Sequence, residues 1–203
     1  MSEIEAIIFD AGNVLVRVDW EPTVREFCAR TGKTREQLAE FIDHGAQMER
    51  LSLGLISPQE FFDRAAGALG FDGDIEEFVR IWCDCLSPIE PMVTLAAQLR
   101  GRLRQFVLSN TNPFHGQWLR GRLPCFGALE GHVFSYEVGL LKPDRHIYEF
   151  SLRQFGLRPQ RTVFVDDALA NIEGARAVGL HGVHHCDVEQ TRQELTKLGV
   201  API

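Results

Sequence analysis

The chain has 203 residues, of which 45% are hydrophobic and 24% are charged, and its 21 basic and 28 acidic side chains give a net charge of −7. This composition is typical of a globular protein with one core and an insertion, and it excludes collagen-like, disordered and disulfide-scaffold classes. The acidic balance gives no electrostatic reason to expect nucleic acid or an anionic membrane as a partner.

The cysteines and the first residues indicate a compartment. The five cysteines are odd in number and irregularly spaced, and Cys83 lies too close to Cys85 for an unstrained disulfide. Residues 1–5 are acidic, whereas a signal or transit peptide needs positive charge. We therefore expect reduced thiols and a cytoplasmic monomer or homodimer.

The first predicted element is a short buried strand over residues 4–9, which ends at Asp10 and the turn signal Gly12-Asn13. This apolar run is far shorter than the ~20 residues needed to cross a bilayer, so we predict no membrane span. Residues 14–18 are predicted to form a small hairpin or flap.

The segment from about 21 to 85 is predicted to be helical, because apolar residues recur there at spacings of three and four. About four helices fit this pattern. Two side-chain pairs, Thr34 with Gln37 and Ser57 with Glu60, have the spacing of capping boxes and mark helix starts.

After residue 87 the pattern changes to helix and strand in alternation. Ser87 and Pro88 repeat the helix-start signal and predict a helix over 88–100. Short apolar strands and helices then follow: strands at 105–108, 132–135, 162–165 and 182–184, helices at 145–155 and 169–178, and an intervening segment at 114–122. This alternation is typical of an α/β protein with a parallel sheet and crossover helices.

Polar side chains end three of the predicted strands: Asp10, Ser109 and the pair Asp166-Asp167. In open parallel sheets the carboxyl ends of the strands bind ligands, so we expect these groups in one crevice. The proline after Lys142 favours an extended loop there, which adds an ammonium group.

The carboxylates at these strand ends predict a metal site. If Asp10, Asp166 and Asp167 converge near 4 Å, each like-charge pair costs about 4 kcal/mol at an effective dielectric of 20, which one lysine cannot offset. Mg²⁺ suits carboxylate ligands together with water and phosphate. Because adjacent strand residues face opposite ways, the two later carboxylates are expected to play unequal roles.

A bound cation would make Asp10 a nucleophile toward phosphorus, since an aspartyl carboxylate can form an acyl phosphate that water hydrolyses. Ser109, Asn110 and Lys142 would then hold the phosphoryl oxygens, whose charge grows in the transition state. His115 and Trp118 either border this pocket or pack in the core.

Four segments resemble, in order, the four motifs of the haloacid dehalogenase-like hydrolase superfamily: Asp10-Ala-Gly-Asn-Val-Leu, Leu108-Ser109-Asn110-Thr111, Lys142-Pro143, and Val165-Asp166-Asp167 with Asn171. The resemblance implies a Rossmann-like core over 1–16 and 87–203 and an inserted α-helical cap over 17–86. It is strongest for the branch with sugar-phosphate phosphatases, especially glucose-1-phosphate phosphatase, and the epoxide-hydrolase amino-terminal domain.

The resemblance also implies roles. Asp10 resembles the nucleophile and a metal ligand, the Gly12 carbonyl the second ligand, Asp167 the third, Asp166 an outer-shell partner, and Ser109 and Lys142 the phosphate holders. The implied activity is Mg²⁺-dependent hydrolysis of a small phosphomonoester, including sugar phosphates such as glucose 1-phosphate.

One departure from the family pattern lies at Gly12, where a second Asp usually acts as general acid. Proton transfer of that kind contributes roughly 10²–10⁴-fold. Its absence implies a slower enzyme, a substitute acid such as Glu49 or His44 from the cap, or a substrate with an acidic leaving hydroxyl.

Two other functions stay open. In hydrolytic dehalogenation Asp10 attacks carbon and halide leaves without a proton, although the Asp166-Asp167 pair indicates a cation that this chemistry does not need. A weakened, non-catalytic phospholigand-binding module is the other alternative. The residues His181, His184, His185 and Cys186 resemble a soft metal site only superficially, because strand alternation points them to both faces.

Overall fold

The chain begins with strands, becomes helical, and then returns to strand and helix in alternation. The computed structural model describes residues 3–43 and 46–200. The first half of the chain contains β1 (Ala6–Phe9), β2 (Val16–Val18), α1 (Glu21–Thr31), α2 (Arg35–Asp43), α3 (Ala46–Ser52), α4 (Pro58–Leu69) and α5 (Ile75–Trp82). Among its described residues the helical segment therefore holds five helices, where the sequence predicted about four.

The second half of the chain forms most of the core. Its elements are β3 (Leu86–Pro88), α6 (Glu90–Leu99), β4 (Arg104–Ser109), α7 (Pro113–Arg122), β5 (Gly131–Phe134), α8 (Ser135–Val138), α9 (Arg145–Phe155), β6 (Thr162–Asp166), α10 (Leu169–Ala177), β7 (His181–His184) and α11 (Val188–Lys197). Helix α11 was not predicted, because its mostly polar sequence shows little apolar periodicity.

The central sheet has five strands in the order β5-β4-β1-β6-β7, and all neighbouring strands are parallel. The predicted α/β core with a parallel sheet is therefore confirmed. Side chains of β1 alternate between two clusters: Ile7 and Phe9 pack on the side of α6 and α11, whereas Ala6 and Ile8 pack on the side of α9 and α10. The sheet is thus buried on both faces, as parallel sheets are.

A two-stranded antiparallel ribbon of β2 and β3 lies where the helical segment leaves and rejoins the core. Residues 14–18 were predicted as a local hairpin or flap, but Val16 pairs with the distant Pro88. Residues 16–18 are thus one strand of a ribbon, whereas the predicted start of a helix at Pro88 was wrong. Backbone pairing with β2 keeps that segment extended, so α6 begins at Glu90.

The helices between β2 and β3 surround an aromatic core. Phe27, Phe61, Phe78 and Trp82 are fully buried, and the rings of Phe78 and Trp82 stack at 5.4 Å. Both predicted helix starts have their N-cap hydrogen bond, and the Thr34 pair forms the full reciprocal capping box. The backbone N–H of Glu60 donates to Ser57 Oγ at 3.1 Å, and Thr34 and Gln37 exchange two such bonds. In the part of the chain that the structure describes, no helix is both long and apolar enough to cross a membrane.

Candidate active site

The carboxyl edge of the sheet brings two carboxylates to one ammonium group. Asp10 follows β1, and its backbone N–H donates to Val165 O at 2.8 Å in β6, whose last residue is Asp166. Lys142 Nζ lies 2.9 Å from Asp10 Oδ1 and donates to Asp166 Oδ2 at 2.6 Å. The parallel pairing of β1 and β6 therefore brings two strand-end acids within reach of one lysine.

All three of these charged groups are buried: Asp10, Lys142 and Asp166 are 8%, 4% and 0% exposed. Burial raises the pKa of Asp10 to about 6, although the attraction of Lys142 and its hydrogen bond act in the opposite direction and Asp166 raises it further. Two buried carboxylates share one ammonium group, and this excess of negative charge attracts a cation.

Asp167 completes a group of three carboxylates. Asp10, Asp166 and Asp167 each offer an oxygen within 4.8 Å of the other two. Both oxygens of Asp166 accept from the Asn171 amide, at 3.0 and 3.1 Å, and Oδ1 also accepts from Ala168 N at 2.8 Å. The oxygens of Asp166 therefore have few lone pairs left for a metal ion.

The half-buried Asp167 is less engaged than its neighbour. Its Oδ2 accepts a hydrogen bond of 3.2 Å from Asn13 Nδ2. A hard divalent cation that prefers oxygen donors fits this set of carboxylates. The unequal positions expected of the two adjacent acids are thus visible in their hydrogen bonding and burial.

Asn110 positions the lysine. Its side-chain amide donates to Lys142 O at 2.9 Å, and its Oδ1 accepts from Lys142 N at 2.8 Å. These two bonds fix the backbone of Lys142 immediately before the cis bond to Pro143. The side chain of Asn110 is thereby engaged with Lys142, and its predicted contact to phosphate stays a prediction.

A cavity of about 60 Å³ lies next to Asp10. Its polar lining comes from the loop that follows β4 and from α7, and its apolar lining from the ribbon and α7. The lining residues are Ala11, Gly12, Val16, Val18, Leu86, Ser109, Asn110, Thr111, His115 and Leu119. Ser109, predicted to hold phosphate, therefore reaches the same space as the residues around Asp10.

His115 borders this cavity from α7, which settles one of the open alternatives for it. Its Nε2 lies 3.7 Å from Cys85 Sγ, and its ring is tilted against Trp20 at 5.8 Å. Burial lowers the pKa of His115 to about 4, so the imidazole is neutral at neutral pH. It therefore links the core helix to the helical segment.

Asn13 is a site residue that the sequence analysis used only as a turn signal. Its φ of 52° lies in the left-handed region, which Asn tolerates better than most residues. Besides its bond to Asp167, it accepts from Val18 N at 3.2 Å. The Gly-Asn signal after β1 could have identified it, since this conformation turns the side chain back toward the strand ends.

There is space for a Cβ atom at Gly12, where the family pattern has an Asp. A Cβ on Gly12 would lie 3.6 Å from Val18 Cγ2, which is an ordinary contact. Of the proposed substitutes, Glu49 is exposed on α3 and is not among the described residues that line the cavity. His44 lies outside the described residues. A replacement acid therefore stays a prediction.

The histidines near β7 have separate partners. His181 Nε2 lies 3.0 Å from Gln160 O, His184 Nε2 lies 2.8 Å from Asp167 O, and His185 Nδ1 lies 2.7 Å from Thr191 Oγ1. Cys186 is an exposed free thiol. His184 thus contacts the backbone of the site, and the others pack elsewhere.

Comparison with known proteins places this geometry in context. A family model described as haloacid dehalogenase-like hydrolase matches residues 4–179. The sesquiterpene phosphatase astK of Aspergillus oryzae is 30% identical over 196 residues, covering 96% of this chain and 96% of that protein. The D-ribitol-5-phosphate phosphatase of Bacteroides thetaiotaomicron is 26% identical over 201 residues, covering 95% and 97%.

A solved structure has the same fold. It is a haloacid dehalogenase family enzyme from Bacteroides thetaiotaomicron, in complex with magnesium and inorganic phosphate. It matches with a TM-score of 0.78 at 24% sequence identity, and the match covers 89% of this chain and 93% of that one.

Proposed function

Because this chain belongs to the haloacid dehalogenase-like hydrolases, we propose that it is a Mg²⁺-dependent phosphatase that cleaves a small phosphomonoester through an aspartyl-phosphate on Asp10. The main support is the convergence of Asp10, Asp166 and Asp167 at one edge of the sheet, where Lys142 pairs with the first two. Two relatives of nearly equal length are named phosphatases, which supports the same reaction.

Asp10, Asp167 and the carbonyl of Gly12 would hold the metal ion. Asp166 would act as an outer-shell partner and not as a direct ligand, because its oxygens already accept hydrogen bonds from Lys142 and Asn171. When bound, Mg²⁺ supplies positive charge that neutralises phosphate oxygens and keeps the carboxylates ionised. Magnesium agrees with the ion in the solved structure of the Bacteroides enzyme.

Asp10 performs the covalent step in this proposal. Its carboxylate attacks phosphorus, the bond from phosphorus to the leaving oxygen breaks, and an acyl phosphate forms. Water then attacks phosphorus, which releases inorganic phosphate and restores the carboxylate. The leaving oxygen takes its proton from water, since Gly12 offers none.

Ser109 and Lys142 hold the phosphoryl group during both steps. The buried ammonium stabilises the charge that develops on the phosphoryl oxygens, and such pre-oriented donors are worth more in a water-poor site. Lys142 needs no reorganisation for this task, because Asp166 fixes its side chain and Asn110 fixes its backbone.

The substrate class that these observations support is a small phosphomonoester. The missing acid favours an acidic leaving hydroxyl, so sugar 1-phosphates such as glucose 1-phosphate stay a prediction. A clear preference for glucose 6-phosphate over glucose 1-phosphate would remove that reasoning, because the 6-hydroxyl is the poorer leaving group.

The test is a phosphate-release screen over phosphorylated metabolites, with Mg²⁺ or with a chelator, run beside Asp10→Asn. We expect release that needs Mg²⁺, is lost in Asp10→Asn and is kept in the control Asp72→Asn, which changes an exposed carboxylate in the helical segment. Activity that survives Asp10→Asn would contradict the assignment. Chelator-insensitive halide release would favour a dehalogenase, and metal-dependent ligand binding without turnover a binding module.

A further inference from the structure

The amino edge of the sheet, at the opposite end of the strands from Asp10, gathers positive charge. Four arginines line a cleft there: Arg102 precedes β4, Arg104 is the first residue of β4, and Arg158 and Arg161 lie in the turn that leads into β6. The whole chain has a net charge of −7 and only 21 basic side chains. This local excess of guanidinium groups therefore runs against the charge of the protein as a whole.

The pairing of the strands fixes two of these arginines. Glu5, directly before β1, donates its backbone N–H to Arg161 O at 2.8 Å, and its carbonyl oxygen accepts from Arg104 N at 3.0 Å. The main chains of Arg104 and Arg161 thus lie on either side of Glu5, on the two strands that neighbour β1. Their positions depend on the framework of the sheet and not on a long loop.

The carboxylate between them is shared by two guanidinium groups. Arg158 Nη2 donates to both oxygens of Glu5, at 2.6 and 2.8 Å, and Arg161 Nη1 lies 2.6 Å from Glu5 Oε1. Arg104 pairs with Glu130 at 2.9 Å. The hydrogen bond from Arg158 lowers the pKa of Glu5, partial burial opposes this, and the charges of Arg158, Arg161 and Arg104 lower it further. Positive potential therefore dominates at Glu5.

The cleft has the size of a small-molecule site. Its volume is about 470 Å³, within the usual range of about 300–1,000 Å³. Besides the four arginines, its lining consists of Glu3, Ile4, Glu5, Gly156, Leu157 and Thr162. Even with Glu130 counted, four guanidinium groups face three carboxylates among the described residues. Guanidinium groups bind phosphate through two parallel hydrogen bonds, so this lining suits a phosphorylated anion.

The spacing of the arginines favours an elongated anion. Neighbouring strands lie about 4.8 Å apart, so the main chains of Arg104 and Arg161 are separated by roughly 10 Å, with Glu5 between them. An anion that contacts guanidinium groups on both sides without displacing Glu5 must reach across this distance. A chain of phosphoryl groups is long enough and carries more charge than a single one.

We propose that this cleft is a second ligand site, which binds a small anion with two or more linked phosphoryl groups, as in a nucleotide or in inorganic polyphosphate. The site does not depend on the proposed phosphatase function. Glu5 and Asp10 lie at opposite ends of β1, five residues apart, which corresponds to about 16 Å along a strand. An anion in the cleft is therefore not in position for attack by Asp10.

Three substitutions test the charges of the cleft. Arg104→Gln and Arg158→Gln each remove one guanidinium group, from opposite sides of Glu5, and each should weaken binding by at least about tenfold. Glu5→Gln removes the carboxylate that competes for the arginines and should strengthen binding by about threefold or more. The matched control is Arg64→Gln, because Arg64 is an exposed arginine of α4 that pairs with Glu60 at 2.6 Å.

The experiment is isothermal titration calorimetry of the unmodified protein and the variants, with a chelator present and no Mg²⁺, so that no probe is turned over. The probes are inorganic tripolyphosphate, ATP and orthophosphate. We expect the first two to bind, more weakly as salt is added, and orthophosphate to bind at least about tenfold more weakly. Equal affinities for tripolyphosphate and ATP would assign the site to the bare phosphoryl chain, and tighter binding of ATP to a nucleotide; both support the site.

Three results would overturn this inference: no binding of tripolyphosphate or ATP, equal affinities for orthophosphate and tripolyphosphate, or affinities in Arg104→Gln, Arg158→Gln and Glu5→Gln that match Arg64→Gln. The last result would also identify binding at the edge that holds Asp10, which these substitutions do not touch. Failure of the phosphatase function is a separate outcome, since the titration involves no turnover. Circular dichroism of each variant establishes that it is folded.

Discussion

The edge of the sheet that holds Asp10 and the interior of the helical segment between β2 and β3, here called the cap, are both buried, but they bury opposite kinds of side chain. At the edge, Asp10, Lys142 and Asp166 are charged groups within hydrogen-bond distance of one another. In the cap, Phe61 and Trp82 are rings that contact other rings. Buried ion pairs contribute little net stability, whereas buried rings contribute much. The cap interior therefore contributes stability through packing, whereas the buried charges at the edge agree with the chemistry proposed for them.

Removal of the buried ammonium should have the largest effect. Lys142→Met leaves two carboxylates without their shared cation and removes a phosphate donor. We expect a loss of kcat/KM of at least about 10³-fold and a loss of stability of about 3–5 kcal/mol. Steady-state kinetics with Mg²⁺ and urea unfolding measure the two effects.

The control for this variant is Lys197→Met, whose ammonium is exposed and paired with Glu194. Exposed pairs contribute about 0–1 kcal/mol, so this change should leave activity and stability nearly unaltered. Equal effects of Lys142→Met and Lys197→Met would contradict the role proposed for the buried lysine at the edge of the sheet.

A cavity in the cap should affect stability without affecting the chemical step. Phe61 is fully buried, and Phe61→Ala should lower the free energy of unfolding by about 3–5 kcal/mol. Below the unfolding transition, kcat for a short phosphate ester should stay close to that of the unmodified protein. Leu55→Ala, at an exposed leucine, is the control. A large fall in kcat would show that the cap interior acts on the reaction.

His115, where α7 of the core contacts the helical segment, predicts that stability depends on pH. Burial places the pKa of His115 at about 4, below the ordinary value of about 6.5. The unfolded chain then binds more protons than the folded one between these values, so stability falls as the pH drops through this window. From pH 7 to 5 this histidine should cost about 2 kcal/mol.

Urea unfolding at both pH values tests this, with His115→Gln as the comparison. The variant should lose less stability than the unmodified protein over the same interval. If His115→Gln lost as much stability between pH 7 and pH 5 as the unmodified protein, the imidazole would not be held neutral in the folded state.

The smallest expected effect concerns the missing acid. A Cβ at Gly12 makes only an ordinary contact, so Gly12→Asp should be tolerated, and we expect its carboxyl group to protonate the leaving oxygen. We expect kcat to rise about tenfold for an alkyl phosphate and little for p-nitrophenyl phosphate, whose leaving group needs no proton. Gly12→Asn is the matched control without a proton to give. Equal effects of Asp and Asn would exclude acid catalysis as the cause.

The sequence allowed the edge to be predicted because a parallel sheet leaves few positions for strand-end side chains. Asp10 and Asp166 both follow runs of buried residues, and adjacent parallel strands must bring such ends together. The order of the motifs then predicted the family. These inferences depend on the order of strands and motifs along the chain, which short sequence patterns indicate well.

The parts that the sequence did not predict depend on contacts between distant residues. The pairing of Val16 with Pro88 overrode a local helix signal. The bonds from Asn110 to Lys142 span 32 positions, and no short pattern indicates them. The cap resembled only a set of amphipathic helices, so the packing of Phe114 of α7 against the rings of Phe61 and Phe78 became visible only in three dimensions.

The most direct measurement is acid-quench mass spectrometry of the protein during turnover of a phosphomonoester with Mg²⁺. We predict a phosphoryl group on the peptide that contains Asp10, and none in Asp10→Asn. Steady turnover without any modified peptide, or a phosphoryl group on another residue, would contradict nucleophilic attack by Asp10.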